Sequence, residues 1–172
     1  KLAGIAYILA VALGVVVGVV AAVNHGKWVD SVLMTISVFG ISAPAFWIAI
    51  ILQIVICLKF NLLPLSGIDS FKSFILPGIA LGTRYAASIA RITRTSMLDV
   101  LSQDYIRTAE AKGLKGWVVT IKHALRNALI PIITIAGSDL GNILTGSVLV
   151  ESVFSIPGIG KMLVDSINTR DL

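Results

Sequence analysis

Two ionisable residues, Arg84 and Asp139, stand inside otherwise apolar stretches of this 172-residue chain, and they are its first candidates for chemistry. A charge inside hydrocarbon is costly, so such residues normally pair, line a water-filled path or reach an interface. Arg84 and Asp139 either face each other or face such a path. For Arg84 the other reading is a side chain that snorkels to a nearby interface. Asp139 is short and sits near midspan, which favours a bundle-facing or cavity-facing position. The remaining reactive types form no constellation. His25 and His123 are the only histidines and fall in connectors with no ligand cluster around them. Cys57 is the only cysteine and lies in an apolar run, so neither a disulfide framework nor a cysteine metal site is expected. No stretch reads Gly-x4-Gly-Lys-Ser/Thr, and Gly158-Ile159-Gly160-Lys161 matches a nucleotide loop only superficially. The chain is therefore not expected to be an enzyme: it offers no catalytic residue, no cofactor or metal site, and no ATP hydrolysis of its own.

The elements that hold Arg84 and Asp139 are membrane spans. The chain is 56% hydrophobic and 13% charged, with a mean hydropathy of +0.94, which argues against a soluble domain. Leu2 to Asn24 and Ser31 to Leu58 carry no charge, and each exceeds the roughly 20 residues needed to cross a bilayer core. Four helical spans are expected, at about Leu2–Val23, Val32–Leu58, Phe74–Met97 and Asn127–Val150. Between Arg84 and Arg126 lie eight of the fourteen basic residues and only three of the nine acidic ones, so this stretch carries the +5 net charge of the whole chain. Basic connectors stay on the cytoplasmic side, which makes about 98–126 a cytoplasmic loop. Alternation then places Asn24–Ser31 inside, and Lys59–Ser73 and the tail 151–172 outside. Trp28 and Trp117 fall at the cytoplasmic interface, where aromatic belts form. The basic residues act as topology determinants and headgroup contacts, with no nucleic-acid partner expected. Lys1 and the first apolar run are not a signal peptide, because the run is too long and more spans follow. The missing initial Met and the stop at Leu172 without a final span suggest a piece of a longer protein.

Within the first span Ala6, Ala10, Gly14, Gly18 and Ala22 recur every four residues, a stripe on which another helix can pack closely. Gly137, Gly141 and Thr145 repeat the device in the fourth span. Pro44 should kink or partly open the second span. Trp47, too deep for a belt, is expected inside the bundle with a partner for its indole N–H. In the loop, Leu98, Leu101, Tyr105, Ile106 and Ala109 suggest one face of a short amphipathic helix. Gly113 ends that pattern at a left-handed cap. A second helical pattern starts after Gly116. Periodicity alone allows either a membrane-surface helix or a docking helix for a partner.

The loop sequence DYIRTAEAKGLKGWVVTIKHALRNALIP resembles the cytoplasmic EAA loop of binding-protein-dependent ABC importer permeases, of the form EAA-x3-G-x9-I-x-L-P. It is most similar to the first permease of the dipeptide, oligopeptide and nickel branch. Residues Gly40–Trp47, Ile89–Leu98 and Val150–Gly160 match the same branch in order, so the resemblance covers nearly the whole chain. Gly113 falls on the motif glycine, Ala109 on its second alanine and Leu125 on its leucine. Arg107, Thr108, His123 and Arg126 depart from it, so no glutamate role passes to Arg107, and Glu110 is out of register.

The resemblance implies an all-α polytopic bundle of the type I, methionine-permease-like fold, with about four of its six spans in this chain, from the second to just before the sixth. It implies the plasma (inner) membrane of a prokaryote. Its implied partners are a second homologous permease subunit, two cytoplasmic ABC ATPase subunits that bind the ATP, and an extracytoplasmic solute-binding protein. The loop helix, with Asp104, Tyr105, Ala109, Glu110, Ala111, Gly113, Leu114 and Leu125, would couple to the ATPase. Arg84, Asp139, Pro44 and Trp47 are candidates for the translocation path. Glu151, Phe154, Pro157, Gly158 and Gly160 form a motif expected near the outer mouth. Peptide is the preferred cargo, with nickel or another small solute as alternatives. A secondary transporter is the competing class, but beyond Asp139 and Glu151 few intramembrane oxygen ligands exist for a coupling ion.

Overall fold

The computed structural model describes residues 2–65, 71–145, 148–158, 160–162 and 166–167, and among these no strand occurs. Helix α1 (Leu2–Val23) is the uncharged first run. It ends where the Asn24 side chain donates to the Val20 carbonyl (2.9 Å) and Gly26 turns the chain at a φ of +75°. Helix α2 (Trp28–Ser42) follows. Helix α3 (Ala45–Leu52) continues into a π-helical stretch, Gln53–Lys59. A short 3₁₀ turn, Phe71–Phe74, leads into α4 (Ile75–Leu101), the longest helix at 27 residues. The loop holds α5 (Asp104–Ala111). A continuous helical rod then runs through α6 (Gly116–Val118), a π-helical Val119–Leu125 and α7 (Arg126–Thr145). The short α8 (Val148–Val153) completes the order.

Helix α4 is the centre, packed against α1, α2, α3, α7 and α8. The small-residue stripe of α1 is buried against it throughout. A Cβ on Gly14 would stand 2.7 Å from the Ala86 carbonyl oxygen and 2.8 Å from the Ile89 side chain. One on Gly18 would collide with Thr93 and the Ala90 carbonyl. Gly82 reciprocates, since a Cβ there would stand 2.9 Å from the Ala6 carbonyl oxygen. Residue numbers rise together along this contact, so α1 and α4 run parallel. Close approach maximises dispersion contacts where no hydrophobic force drives helices together.

Buried residues gather at two ends of the bundle. One cluster joins Leu2 and Ala6 of α1 with Ala49, Cys57, Leu76, Ile143, Val150 and Phe154. The other joins Ala22 with Met97, Ile106, Ala109, Val119, Ala124 and Ala128. The loop helix α5 thus belongs to one end, and the tail after α7 to the other.

Several expectations change. The second span is no single helix: α2 and the α3–π stretch meet at an angle of 105°. Pro44 has no N–H, and it forces Ala43 into an extended conformation (φ −77°, ψ 130°), so the helix breaks outright rather than kinks. By length and apolarity α1 and the rod Gly116–Ile143 qualify as spans, and the broken pair counts as a third. Helix α4 is long enough, but Arg84 and Arg91 keep it from counting by composition. The rod begins eleven residues before the expected Asn127. It ends before Val150, which lies in the separate α8. Gly146 and Ser147 between them lie outside the described residues. Trp47 is 53% exposed, not packed inside, because the break turns α3 so that its Ala49 face meets the core. Gly137 and Gly141 have open space in front of them, so among the described residues they receive no helix.

Candidate functional site

Helix α5 is only eight residues long, too short to be stable alone, and the rest of the bundle holds it. Ile106 and Ala109 sink into the cluster made by Met97, Val119, Ala124 and Ala128, with Leu125 packed at its edge. The Tyr105 hydroxyl accepts a 2.8 Å hydrogen bond from the Asn127 side chain, tying α5 to the base of α7. Its other face, with Arg107, Thr108, Glu110 and Ala111, is exposed. Asp104 is exposed and approaches Arg107 at 3.8 Å, a surface pair worth little. Leu98 and Leu101 do not share this helix, as the periodicity suggested. They end α4, and Ser102 and Gln103 separate the two helices.

Gly113 closes α5 as expected. It has a φ of +75°, its N–H donates to the Glu110 carbonyl (2.8 Å), and the Leu114 N–H donates to the Ala109 carbonyl (3.4 Å). These two bonds form a Schellman cap, which needs a left-handed residue where Gly113 stands. Leu114 and Trp117 remain exposed beyond it.

Arg84 and Asp139 come close without pairing. Each charge acts on the other, but no direct ion pair forms between them. Asn142 hydrogen-bonds the Asp139 carboxylate, whose Oδ2 is buried with no partner among the described residues. Arg84 points to the exposed side of α4. Pro44 caps the start of α3, and Trp47 lies exposed one turn on, so neither joins Arg84 and Asp139 in one cluster.

A charged network escaped the sequence reading. Arg94 grips the buried Asp30 in a bidentate fork, with Nε to Oδ1 at 2.6 Å and Nη2 to Oδ2 at 2.7 Å. The Gly26 N–H (3.1 Å) and the His25 ring (3.2 Å) complete the shell around Oδ2. His25, read as an idle connector residue, is thus part of a clasp between α2 and α4. The partners are 64 residues apart, and no local pattern announces them.

At the opposite end the Glu151 motif proves to be a folded turn. The buried Glu151 carboxylate accepts the N–H groups of Gly160 (3.0 Å) and Lys161 (3.3 Å). A Cβ on Gly158 or Gly160 would run into that carboxylate. Phe154 anchors the turn in the core, and the Gln53 side chain donates to the Val153 carbonyl (3.1 Å). Ile159 and residues 163–165 and 168–172 of the tail, with the pattern's Leu163 and Val164, lie outside the described residues, as do 66–70 of the expected outer loop.

Residues 14–172 match the family model described as binding-protein-dependent transport system inner membrane component. The chain is 48% identical over 162 residues to the glutathione transport system permease protein GsiC of Escherichia coli (strain K12), covering 94% of this chain and 53% of that protein. It is 47% identical over 164 residues to the GsiC protein of Salmonella typhi, covering 95% and 54%. The chain spans about half the length of these curated relatives. With its helical bundle and its loop helix seated against that bundle, the chain belongs to the binding-protein-dependent transport system inner membrane component family, the bacterial ABC importer permeases.

Proposed function

We propose that this chain is part of an ATP-driven importer permease and forms part of the path for peptides handed over by a solute-binding protein. The observation that carries the reading is α5: a short helix held by Ile106, Ala109 and the Tyr105–Asn127 bond, with its outer face bare. That construction suits a docking helix in a cleft of a cytoplasmic ATPase. Its cluster reaches α1, α4 and the rod, so a push on α5 moves spans as rigid bodies, the physical contact that alternating access requires. The spans, with α4 included, cross four times, and the tail turn held by Glu151 faces outward, where a binding protein arrives. The second permease subunit would meet open helix faces such as Gly137 and Gly141. Both relatives carry glutathione, a tripeptide, in their names, which favours peptide over nickel as cargo.

The test is solute uptake into vesicles holding the full permease, with and without ATP and the ATPase subunits. ATP-dependent uptake that vanishes without the ATPase is expected. Uptake that follows an ion gradient and ignores ATP would replace this reading with the secondary transporter.

A further inference from the structure

Helix α4 buries most of its circumference but leaves one polar stripe uncovered. Arg84, Ser88, Arg91 and Thr95 follow at steps of four, three and four residues, so they stack on one face. Arg84, Arg91 and Thr95 are exposed and Ser88 is half-buried. Eleven residue-to-residue steps of helix make this stripe about 16 Å long, half a bilayer core. The other side of α4 is different in kind: there Gly78, Gly82, Ala86 and Ala90 line an apolar groove of about 240 Å³ with Leu13 and Ile36. Lipid suits the groove. It does not suit the stripe, since cations inside a membrane face water or protein.

At its lower end the stripe opens into a polar cavity of about 410 Å³ between α2 and α4, walled by Ser31, Met34 and Val38 opposite Arg91, Arg94 and Thr95. The charges in this cavity are unbalanced. Asp30 is also at its wall, but both of its oxygens are already held by Arg94. Arg91 forms no ion pair among the described residues. On α7 the exposed polar residues beyond Arg126, namely Asn127, Thr134, Ser138 and Asn142, are uncharged. Asp139, the one acid there, is half-buried and engaged by Asn142.

We propose that this stripe is a water-filled, anion-selective lane and that the cargo is a net-negative solute bearing carboxylates, with Arg91 as the selecting residue. The inference rests on the transport path of the proposed function and adds its charge preference. A guanidinium fork matches a carboxylate bidentately, and the neighbouring hydroxyls of Ser88 and Thr95 supply further donors. Uncompensated positive charge in a cleft with low-dielectric walls raises the local concentration of anions and repels cations.

The experiment uses the full-length permease with its partners in inside-out vesicles, with native cysteines, Cys57 among them, replaced by serine. Single reporters Ser88→Cys and, independently, Thr95→Cys are treated with a negatively charged sulfonatoethyl and a positively charged trimethylammonioethyl methanethiosulfonate. Each rate is divided by that of a free thiol in solution. One unit charge about 7 Å away in water biases the anion-to-cation ratio about sevenfold. A ratio of that order at low salt is expected. It should collapse toward one with Arg91→Gln, and shrink in 0.5 M salt, about where screening lengths fall below 5 Å. If both reagents react at equal rates, the lane exists but the anion preference is overturned. A high ratio that survives Arg91→Gln removes Arg91 from its role. If neither reagent reaches either reporter, the face is dry, and the path assigned in the proposed function fails with it.

Discussion

Substituting Gly113 separates the mechanical role of α5 from its fold. The residue sits at φ +75°, and a Cβ there would meet nothing within 4 Å, so the whole cost of a side chain is backbone strain. For alanine this is roughly 1 kcal/mol, which lowers the ratio of correctly to wrongly turned loops about fivefold. Asparagine, which visits the left-handed region, should cost less, and β-branched valine more. The turn carries the bonds from Gly113 to Glu110 and from Leu114 to Ala109, and losing it frees the last turn of α5. Ile106 and Ala109 keep their burial and the spans are untouched, so the protein should still insert. Gly26 supplies the control for strain: it has the same φ of +75° and the same open surroundings, but it lies in the α1–α2 connector, where its N–H serves the Asp30 clasp and not α5. Gly26→Ala therefore imposes equal strain away from α5. ATP-dependent uptake and ATPase copurification, each normalised to permease abundance, should fall in the order Asn, Ala, Val at position 113 and hold for Gly26→Ala. Normal uptake and ATPase retention in Gly113→Val would refute the reasoning. So would an equal loss in Gly26→Ala and Gly113→Ala, which would mean that strain in either connector suffices.

Replacing Gly14 and Gly18 with alanine should lower the thermal stability of the purified permease by about 1–3 kcal/mol each, because the added carbons press on the Ala86 and Ala90 carbonyls. Gly4→Ala on the same helix, with nothing within 4 Å, should not, and equal behaviour of the three would deny the close α1–α4 contact. Asp30→Asn should destabilise by about 1–3 kcal/mol, less than for a fully buried pair since Arg94 is partly exposed. A double-mutant cycle with Arg94→Gln should show coupling, and strict additivity would contradict the clasp. Glu151→Ala should leave the Gly160 and Lys161 N–H groups without their acceptor at about 1–3 kcal/mol and open the 156–161 turn to limited proteolysis, whereas unchanged protection would mean that Phe154 alone holds it.

Features that depend on near neighbours along the chain were legible from residue order. The uncharged run of α1, its four-residue stripe, the helix stop at Gly113 and a disturbance at Pro44 each follow from hydropathy, side-chain size or backbone freedom within a turn or two. The loop motif carried the family for the same reason, being one contiguous segment. What residue order left open depends on where the elements come to lie. Pro44 announced a disturbance, but the 105° angle, and with it the exposure of Trp47, comes from α3 packing Ala49 into the cluster that holds Leu2, Cys57 and Phe154. Asp30 and Arg94 carry no mutual signal across 64 residues, and only the parallel docking of α1 on α4, with α2 returning beside them, brings the carboxylate to the guanidinium. Glu151 looked like a charge at a span end until the folded tail placed two backbone N–H groups against it. Arg84, Ser88, Arg91 and Thr95 share a face on any helix, but bare exposure on that face was decided by the neighbours that bury most of the rest of α4. Short-range sterics and hydrophobicity act within a few residues and can be read from order, whereas charge pairing and exposure are set by distances that exist only once the helices have packed.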